Sequence, residues 1–474
     1  MSDLNFESAA TLVAAMRRGK LSASELMNAC YDQIERLNPT LNAIVNLLPR
    51  ERALALARRA DRDRASGTDL GPLHGLPMAP KDAVDVTGFP TTFGFRPYRD
   101  RRPQHDDALA ARQRAAGALY IGKTNMPEFG LGSHTFNGLF GTTSNPYDPK
   151  RSAGGSSGGA AVALATGMLP LADGSDMGGS LRNPASFCNV VGMRPSIGRV
   201  PDKRPMGWLA RISTPGPMAR TVADAALLLS VQAGAYPDDP LSLTQSGHAF
   251  AGTLARDLRG LRIAWTPDLD LVPVDPEVAA MVEAAAATFR DLGCEVERAC
   301  PDLGSAMDVF HTQRAAALAV LGGGLDREVP DWRAHAKDTA IWNIDRGLKL
   351  TAGELIDAEV TRTHLYRRSV EFFQRYDALL LPAAQVPPFP AETEWIREIN
   401  GQPMATYIDW MTVCCAVSVT GLPAISVPAG FTAGGLPLGL QIVAGPQDDL
   451  GLLQLAHEFE QATLHHCRRP ELAL

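Results

Sequence analysis

Two glycine- and serine-rich stretches near the middle of the chain decide its fold. The sequence reads Ser152-Ala153-Gly154-Gly155-Ser156-Ser157-Gly158-Gly159-Ala160 and then Asp176-Met177-Gly178-Gly179-Ser180-Leu181-Arg182-Asn183-Pro184-Ala185. They hold six glycines and four serines, and Ser180 stands 24 positions after Ser156. Glycine loses more conformational entropy on folding than any other residue, so this composition indicates tight turns with a specific purpose. Apolar sequence flanks both stretches, which argues against a pair of flexible linkers.

Several kinds of site use glycine-rich turns. A phosphate-binding loop requires Gly-Lys followed by Ser or Thr, and a dinucleotide site requires G-x-G-x-x-G after a strand; neither stretch has these patterns. The G-x-S-x-G elbow of α/β hydrolases matches Gly154–Gly158 and Gly155–Gly159 literally. However, the turn-forming segment Asn145–Lys150 comes before it, where an elbow requires a strand. That match is therefore interpreted as a coincidence of composition.

The second stretch suits a site of acyl transfer. The backbone N–H groups of Met177, Gly178, Gly179 and Ser180 can form an oxyanion hole, and Ser180 can attack the carbonyl. A serine nucleophile needs a base, and neither stretch contains histidine. A lysine neutralised by burial can accept the proton, and Lys81 lies in a mostly apolar segment. Taken alone, a lysine at such a place is more often a surface residue than a base.

These residues resemble the amidase-signature family, and the D-x-G-G-S-x-R core of Asp176–Arg182 is the most specific match. Other matching segments, spread over nearly the whole chain, are Gly75–Pro77, Lys81–Asp82, Gly122–Met126, Gly192–Ser196, Pro215–Arg220, Gly421–Pro428 and Gly435–Gln441. The resemblance implies an α/β amidase-signature fold, in which helices cover both faces of a central mixed β-sheet. It is weakest around residues 300–375.

The resemblance also implies a Ser–cis-Ser–Lys triad. Ser180 matches the nucleophile and Lys81 the base. Ser156 matches the bridging serine, reached through a cis peptide bond after Gly155. Ser157 matches a supporting neighbour that hydrogen-bonds within the loop.

Other residues of the second stretch are expected to support this site. Asp176 and Arg182 are predicted to form an ion pair that holds the loop in place. Many relatives carry threonine where this chain has Met177, but the backbone N–H group is still available, so catalysis is not in doubt. Gly132, Ser133, Tyr407 and Trp410 are expected to line the substrate pocket. If Trp332 and Trp342 also face the site, bulky aryl substrates are favoured.

We interpret residues 1–474 as a single domain with a variable helical part. Residues 1–70 are predicted to be helical, with a capping box that begins at Ser22 and a helix that ends at Pro39. Residues 71–300 and 376–474 form the α/β core, and residues 301–375 form helices that pack beside the sheet. The runs that suggest strands are Ala118–Ile121, Ala378–Leu381 and Ala424–Val427.

Bulk properties narrow the class of protein. The net charge of -7 argues against a nucleic-acid partner, which usually meets a basic field. The seven scattered cysteines indicate reduced thiols in a cytoplasmic protein. No signal peptide, membrane span or metal motif is visible, so we expect no membrane attachment, metal or other cofactor. The expected partner is a small-molecule amide or carbamate, bound by a monomer or homodimer.

The sequence therefore predicts a serine-dependent hydrolase that cleaves the C–N bond of small aryl or alkyl amides through an acyl-enzyme on Ser180. Carbamates (as in a urethanase) and esters stay open, because the same acyl chemistry serves them. A second hypothesis is the glutamine-hydrolysing subunit of a tRNA-dependent amidotransferase, which the segment Gly122–Met126 also resembles. Against it, the run from Asn183 to Gly192 resembles free-standing bacterial amidases. A third hypothesis is an inactive scaffold, although all three triad positions are filled.

Overall fold

The computed structural model describes residues 4–68 and 71–472 of the chain. Met1, Ser2 and Asp3, part of the N-terminal segment considered above, lie outside this range. The α-helices are α1 (Ala9–Arg17), α2 (Ala23–Leu41), α3 (Arg50–Ala65), α4 (Ala108–Ala115), α5 (Gly158–Ala165), α6 (Arg182–Cys188), α7 (Val222–Gln232), α8 (Pro276–Asp291), α9 (Ala306–Glu328), α10 (Asp338–Leu348), α11 (Ala352–Phe373), α12 (Thr412–Thr420) and α13 (Asp449–Thr463).

The strands fall into one large sheet and several two-residue pairs. They are β1 (Ile44–Val45), β2 (Pro77–Met78), β3 (Leu119–Tyr120), β4 (Lys123–Thr124), β5 (Phe136–Asn137), β6 (Gly141–Thr142), β7 (Leu171–Asp176), β8 (Val191–Arg194), β9 (Thr214–Ala219), β10 (Arg262–Trp265), β11 (Glu295–Arg298), β12 (Ala378–Pro382), β13 (Glu398–Ile399), β14 (Gln402–Pro403), β15 (Ala424–Phe431) and β16 (Pro437–Ala444).

The central sheet has eight strands in the order β11-β10-β12-β16-β15-β8-β9-β7. Strand β10 pairs in parallel with β11 and β12, and the other neighbours are antiparallel. Helices lie on both faces, so the predicted mixed sheet of an α/β fold is confirmed. All residues of β12 and β16 are buried, as expected of strands that are covered on both sides.

Helix α6 begins within the second glycine-rich stretch and packs closely on this sheet. A Cβ at Gly439 on β16 would come within 2.7 Å of Ser186 Cα on α6, so the contact requires glycine. All the residues of α6 are buried, and so are those of α5, which follows the first stretch. The turns that carry the serines are therefore fixed to the interior of the molecule.

The N-terminal helices differ from the sequence prediction in one detail. Ser22 and Glu25 form the predicted capping box of α2. The helix does not end at Pro39, however, because it continues to Leu41. Proline removes one hydrogen bond but is tolerated in this last turn, and the left-handed Asn42 ends the helix, with its N–H donating to Asn38 O.

The run Ala118–Ile121 is a second correction, because it does not enter the central sheet. Only Leu119–Tyr120 is a strand, and it pairs in parallel with Pro77–Met78. A short apolar run predicts a strand but not the sheet that it joins. The other two runs are confirmed as β12 and the first half of β15.

Helices α9, α10 and α11 occupy most of the segment 301–375, which the sequence predicts to be helical. Trp332, Ile344 and Leu325 form part of a separate apolar cluster that also takes in Phe95 and Leu131 from the α/β core. This packing fixes the helices beside the loop that contains Gly132. Of the helices in the described residues, none is both long and apolar enough to cross a membrane.

Candidate active site

Three segments from different parts of the chain meet around the two glycine-rich stretches. Lys81 follows β2 and forms an isolated bridge with Thr124. Ser156 lies in the turn before α5, and Ser180 lies in the turn between β7 and α6. The backbone N–H of Ser157 donates to the carbonyl of Ser180 at 3.2 Å, which joins the two turns directly.

The ammonium nitrogen of Lys81 lies at the centre of a group of hydroxyls. Lys81 Nζ is 2.7 Å from Ser156 Oγ, 3.0 Å from Ser157 Oγ and 3.3 Å from Ser175 Oγ. Lys81 is 1% exposed and Ser156 is 2% exposed, whereas Ser180 is only half-buried. The peptide bond between Gly155 and Ser156 is cis. The buried amine therefore contacts buried hydroxyls, and the more accessible Ser180 lies in the turn that the backbone of Ser157 joins to this group.

Burial changes the protonation of this lysine. Desolvation lowers the pKa of Lys81 from 10.5 to about 7, although the nearby carboxylates of Asp176 and Asp173 oppose the change. A neutral amine has two N–H donors and one lone pair. This inventory matches three hydroxyl neighbours, of which one donates to the lone pair and two accept hydrogen bonds.

The turn after β7 is held by a buried carboxylate. Asp176 Oδ1 accepts from Gly179 N at 2.9 Å and Asp176 Oδ2 from Leu181 N at 3.1 Å. Arg182 Nη2 donates to Asp176 Oδ1 at 2.7 Å, and Arg194 Nη1 lies 3.4 Å from the same oxygen. Burial alone would raise the pKa of Asp176, but the two guanidinium groups and the N–H donors hold it well below its usual range.

Some backbone N–H groups of this turn already donate hydrogen bonds within the protein, and others do not. The N–H of Gly179, one of the four predicted for the oxyanion hole, already donates to Asp176. The N–H groups of Gly178 and Ser180 have no acceptor within the part of the chain described here. Gly179 has φ = +107°, a conformation that favours glycine, and its Cβ would meet Cys414 at 2.8 Å. The turn thus leaves free donors beside Ser180.

The four residues expected to bind substrate line one cavity. Gly132, Ser133, Tyr407 and Trp410 share its wall with Leu131, His134, Phe136, Lys337, Thr339, Glu394 and Trp395. Asn183 Nδ2, from α6, donates to Ser133 Oγ at 2.8 Å and so ties this cavity to the Ser180 turn. A more open cleft of about 550 Å³, between Pro267 and Val274, includes none of the serines in the cluster.

The tryptophans on which an aryl preference depends lie in different places. Trp410 is 1% exposed and lines the cavity. Trp342 is partly exposed and contacts the ring of Tyr407, with 6.2 Å between ring centroids. Trp332 belongs to the separate apolar cluster and does not line the cavity. The aromatic character of the cavity comes from Trp410, Tyr407, Trp395 and Phe136.

Sequence reasoning missed several residues that shape this site. Ser175, next to Asp176, could have been noticed because it immediately precedes the matched motif. Phe310 and Arg314, on α9, carry no motif that indicates their position. A Cβ at Gly178 would lie 2.8 Å from the ring of Phe310, and Arg314 Nη1 is 3.6 Å from Met177 Sδ. The helical region therefore packs directly on the turn of Ser180.

Comparison with known proteins places the whole chain in one family. The family model described as Amidase matches residues 25–453. An acylamidase of Rhodococcus erythropolis is 36% identical, with 97% of this chain and 96% of the relative aligned. One subunit of the glutamyl-tRNA(Gln) amidotransferase of Synechococcus sp. (strain CC9605) is also 36% identical, over 97% of both chains.

A solved structure gives the same result for the fold. The crystal structure of a bacterial aryl acylamidase of the amidase-signature family superposes with a TM-score of 0.91 and 31% identity, covering 98% of this chain and 99% of the other. The eight-stranded sheet and the helices around it are thus those of a known enzyme family. The chain belongs to the amidase-signature family and is a hydrolase that acts on carbon–nitrogen bonds.

Proposed function

We propose that this enzyme hydrolyses small aryl or alkyl amides through an acyl-enzyme on Ser180. The observation that carries the proposal is the 2.7 Å contact between the buried amine of Lys81 and Ser156 Oγ, beside the turn that exposes Ser180. The relatives named as acylamidases support amides as the substrates. The aromatic wall formed by Trp410, Tyr407 and Trp395 supports aryl or alkyl groups next to the scissile bond.

Each proton has a route in the proposed reaction. Neutral Lys81 takes the proton of Ser156, and Ser156 takes the proton of Ser180 as Ser180 Oγ bonds to the substrate carbonyl carbon. The oxyanion accepts hydrogen bonds from the free N–H groups of Gly178 and Ser180, with Met177 as a further donor and Gly179 already used in holding the turn.

Breakdown of the intermediate follows the same path in reverse. The proton on Ser156 passes to the leaving nitrogen as the C–N bond breaks, and Lys81 returns its proton to Ser156, which leaves an ester on Ser180 and a neutral amine. Water then attacks the ester carbonyl and gives a proton to Ser156, which again passes its own proton to Lys81. When the acid leaves, Ser180 takes a proton from Ser156, and Lys81 returns its proton to Ser156. Carbamates and esters enter the same cycle, since each presents a carbonyl to Ser180.

The first test identifies the nucleophile without requiring a known substrate. The protein is treated with a fluorophosphonate, and the adduct is located by intact mass and peptide mapping. We expect one adduct, on Ser180, which Ser180→Ala abolishes and Ser66→Ala, at an exposed site, leaves unchanged. An adduct on Ser156 or Ser157 instead would support the G-x-S-x-G elbow, and the absence of any adduct would contradict the proposal.

A second candidate function is the release of ammonia from glutamine for transfer to a tRNA-linked substrate. The observation that favours it is the 36% identity to the glutamyl-tRNA(Gln) amidotransferase chain over 97% of this protein. The two functions differ in substrate: isolated amidase activity on anilides supports the first. Glutamine hydrolysis that requires added partner proteins, with no turnover of anilides, supports the second.

A further inference from the structure

Five arginines are buried among the residues that the structure describes, and they differ in whether a carboxylate lies beside them. Four of the five have one: Arg182 and Arg194 with Asp176, Arg199 with Asp449, and Arg211 with Asp239, at 2.7 to 3.4 Å. The fifth, Arg314 on α9, is 4% exposed, and no carboxylate of the described residues lies within ion-pair distance of it. A buried charge without a counter-charge is expensive, so such a group needs an explanation.

The hydrogen-bond partners of Arg314 are all neutral. Arg314 Nη2 donates to Tyr407 Oη at 2.7 Å, Nε to Asn343 Oδ1 at 3.4 Å, and Nη1 to Met177 Sδ at 3.6 Å. The contact of His311 Nε2, on the same helix, with Asp409 Oδ1 at 3.4 Å does not include Arg314. Arginine has five N–H donors, so this set leaves donor capacity unused.

Arg314 also contacts two parts of the candidate active site. Its contact with Met177 puts it against the proposed oxyanion turn, and Phe310, one helical turn earlier, packs against Gly178. Its contact with Tyr407 puts it behind the wall of the cavity that contains Ser133. The guanidinium therefore contacts both the turn that contains Ser180, through Met177, and the wall of the cavity, through Tyr407.

The hydroxyl of Tyr407, like the guanidinium of Arg314, has an N–H or O–H donor without an acceptor among the described residues. It accepts from Arg314 Nη2 at 2.7 Å and from Asn343 Nδ2 at 2.6 Å, which uses both of its lone pairs. Its own proton then needs an acceptor, and the described side chains and carbonyls offer none. A second cation, Lys337, lines the same cavity. Its ammonium donates to the carbonyl of Leu131.

We propose that Arg314 and Tyr407 bind a carboxylate of the substrate, so that the preferred substrates are amides with an anionic group near the scissile bond. A carboxylate would accept from the Tyr407 hydroxyl and from the unused N–H groups of Arg314, and would supply the missing counter-charge. The acidic residue on this cavity wall, Glu394, is exposed and lies near Lys337. The inference rests on the proposed amidase function and names its substrate class.

The test compares matched substrates that differ in the presence of one carboxylate group. One pair places the carboxylate on the acyl side, N-succinyl-4-nitroaniline against N-butyryl-4-nitroaniline. The other places it on the leaving group, 4-acetamidobenzoate against acetanilide. In the unmodified enzyme we expect the anionic member of at least one pair to have a kcat/KM about ten-fold or more higher, within the range of a charge-assisted hydrogen bond.

Variants then connect the preference to these residues. Arg314→Met and Tyr407→Phe should lower the anionic-to-neutral ratio of kcat/KM by about 10- to 100-fold, mostly through KM, while Arg327→Met, at an exposed position of the same helix, should keep it. The inference would be overturned if the wild-type enzyme had no higher kcat/KM for the anionic member of either pair. It would also be overturned if the anionic-to-neutral ratio of kcat/KM stayed the same in both variants. Fluorophosphonate labelling of Ser180 in each variant separates this failure from a failure of the catalytic proposal.

Discussion

Replacing Lys81 by methionine should abolish catalysis and stabilise the fold. Lys81 is the proposed general base, and the loss of such a group lowers kcat by about 10²- to 10⁴-fold. Methionine is unbranched and similar in length, so it can fill the same space without a charge. A lysine with a purely structural role would give the opposite result for stability.

The size of the stabilising effect follows from the pKa of Lys81. Burial lowers it from 10.5 to about 7, so an unfolded chain at pH 7 holds a proton that the folded chain holds only about half of the time. At about 1.4 kcal/mol per pKa unit, the buried amine lowers the free energy of unfolding by roughly 4 kcal/mol at pH 7. The lost hydrogen bonds to Ser156, Ser157 and Ser175 offset about 1 kcal/mol each. The variant should therefore be more stable by roughly 1 kcal/mol at pH 7.

The pH dependence gives the sharpest form of this prediction. Because the unfolded state binds more protons between pH 7 and pH 10.5, the stability of the wild-type protein should rise with pH in that window, and the advantage of Lys81→Met should disappear toward its upper end. Wild-type kcat/KM should rise up to about pH 7 and then level off. Urea unfolding and steady-state kinetics from pH 6 to 10 measure both. A destabilised variant that retains activity would refute the reasoning.

Three further changes test the supporting structure. Asp176→Asn leaves the charge of Arg182 unbalanced in the interior and should lower the free energy of unfolding by about 3–5 kcal/mol, measured by denaturant titration. Gly178→Ala places a Cβ 2.8 Å from the ring of Phe310. It should lower kcat for amides and reduce fluorophosphonate labelling, while the melting temperature shows that the protein is still folded at the assay temperature. Ser22→Ala removes an exposed helix cap far from the active site, so it should cost about 1 kcal/mol of stability in thermal unfolding and leave kcat/KM unchanged.

The sequence was sufficient for the fold because its motif requires glycine at several fixed places. The D-x-G-G-S-x-R segment combines an acid, two glycines and an arginine that the structure uses together in one turn. Gly179 needs its positive φ, and Asp176 needs Arg182 as its buried counter-charge. Few other turns require that combination, so the family and its sheet followed from a short segment.

Residues outside the motif could not be placed in the same way. Phe310 and Arg314 reach the active site because α9 packs on the turn after β7, and helical periodicity specifies a buried face without specifying what covers it. The same limit explains Ala118–Ile121, whose apolar character indicated a strand but not its partner. Pro39 was predicted to end α2 because proline is unfavourable in a helix interior, but the last turn of α2 tolerates it.

Asp176, Lys81 and Arg314 are buried ionisable groups, and they differ in how the charge of each is balanced. Asp176 is balanced by Arg182 and Arg194, so its charge is fixed and it serves to hold a turn. Lys81 is surrounded by hydroxyls, so burial favours its neutral form, which a base requires. Arg314 has neither a carboxylate nor the option of losing its proton, since arginine stays charged in proteins. Of the three, it is the charge that the fold itself leaves unbalanced, and a bound anion is the remaining way to balance it.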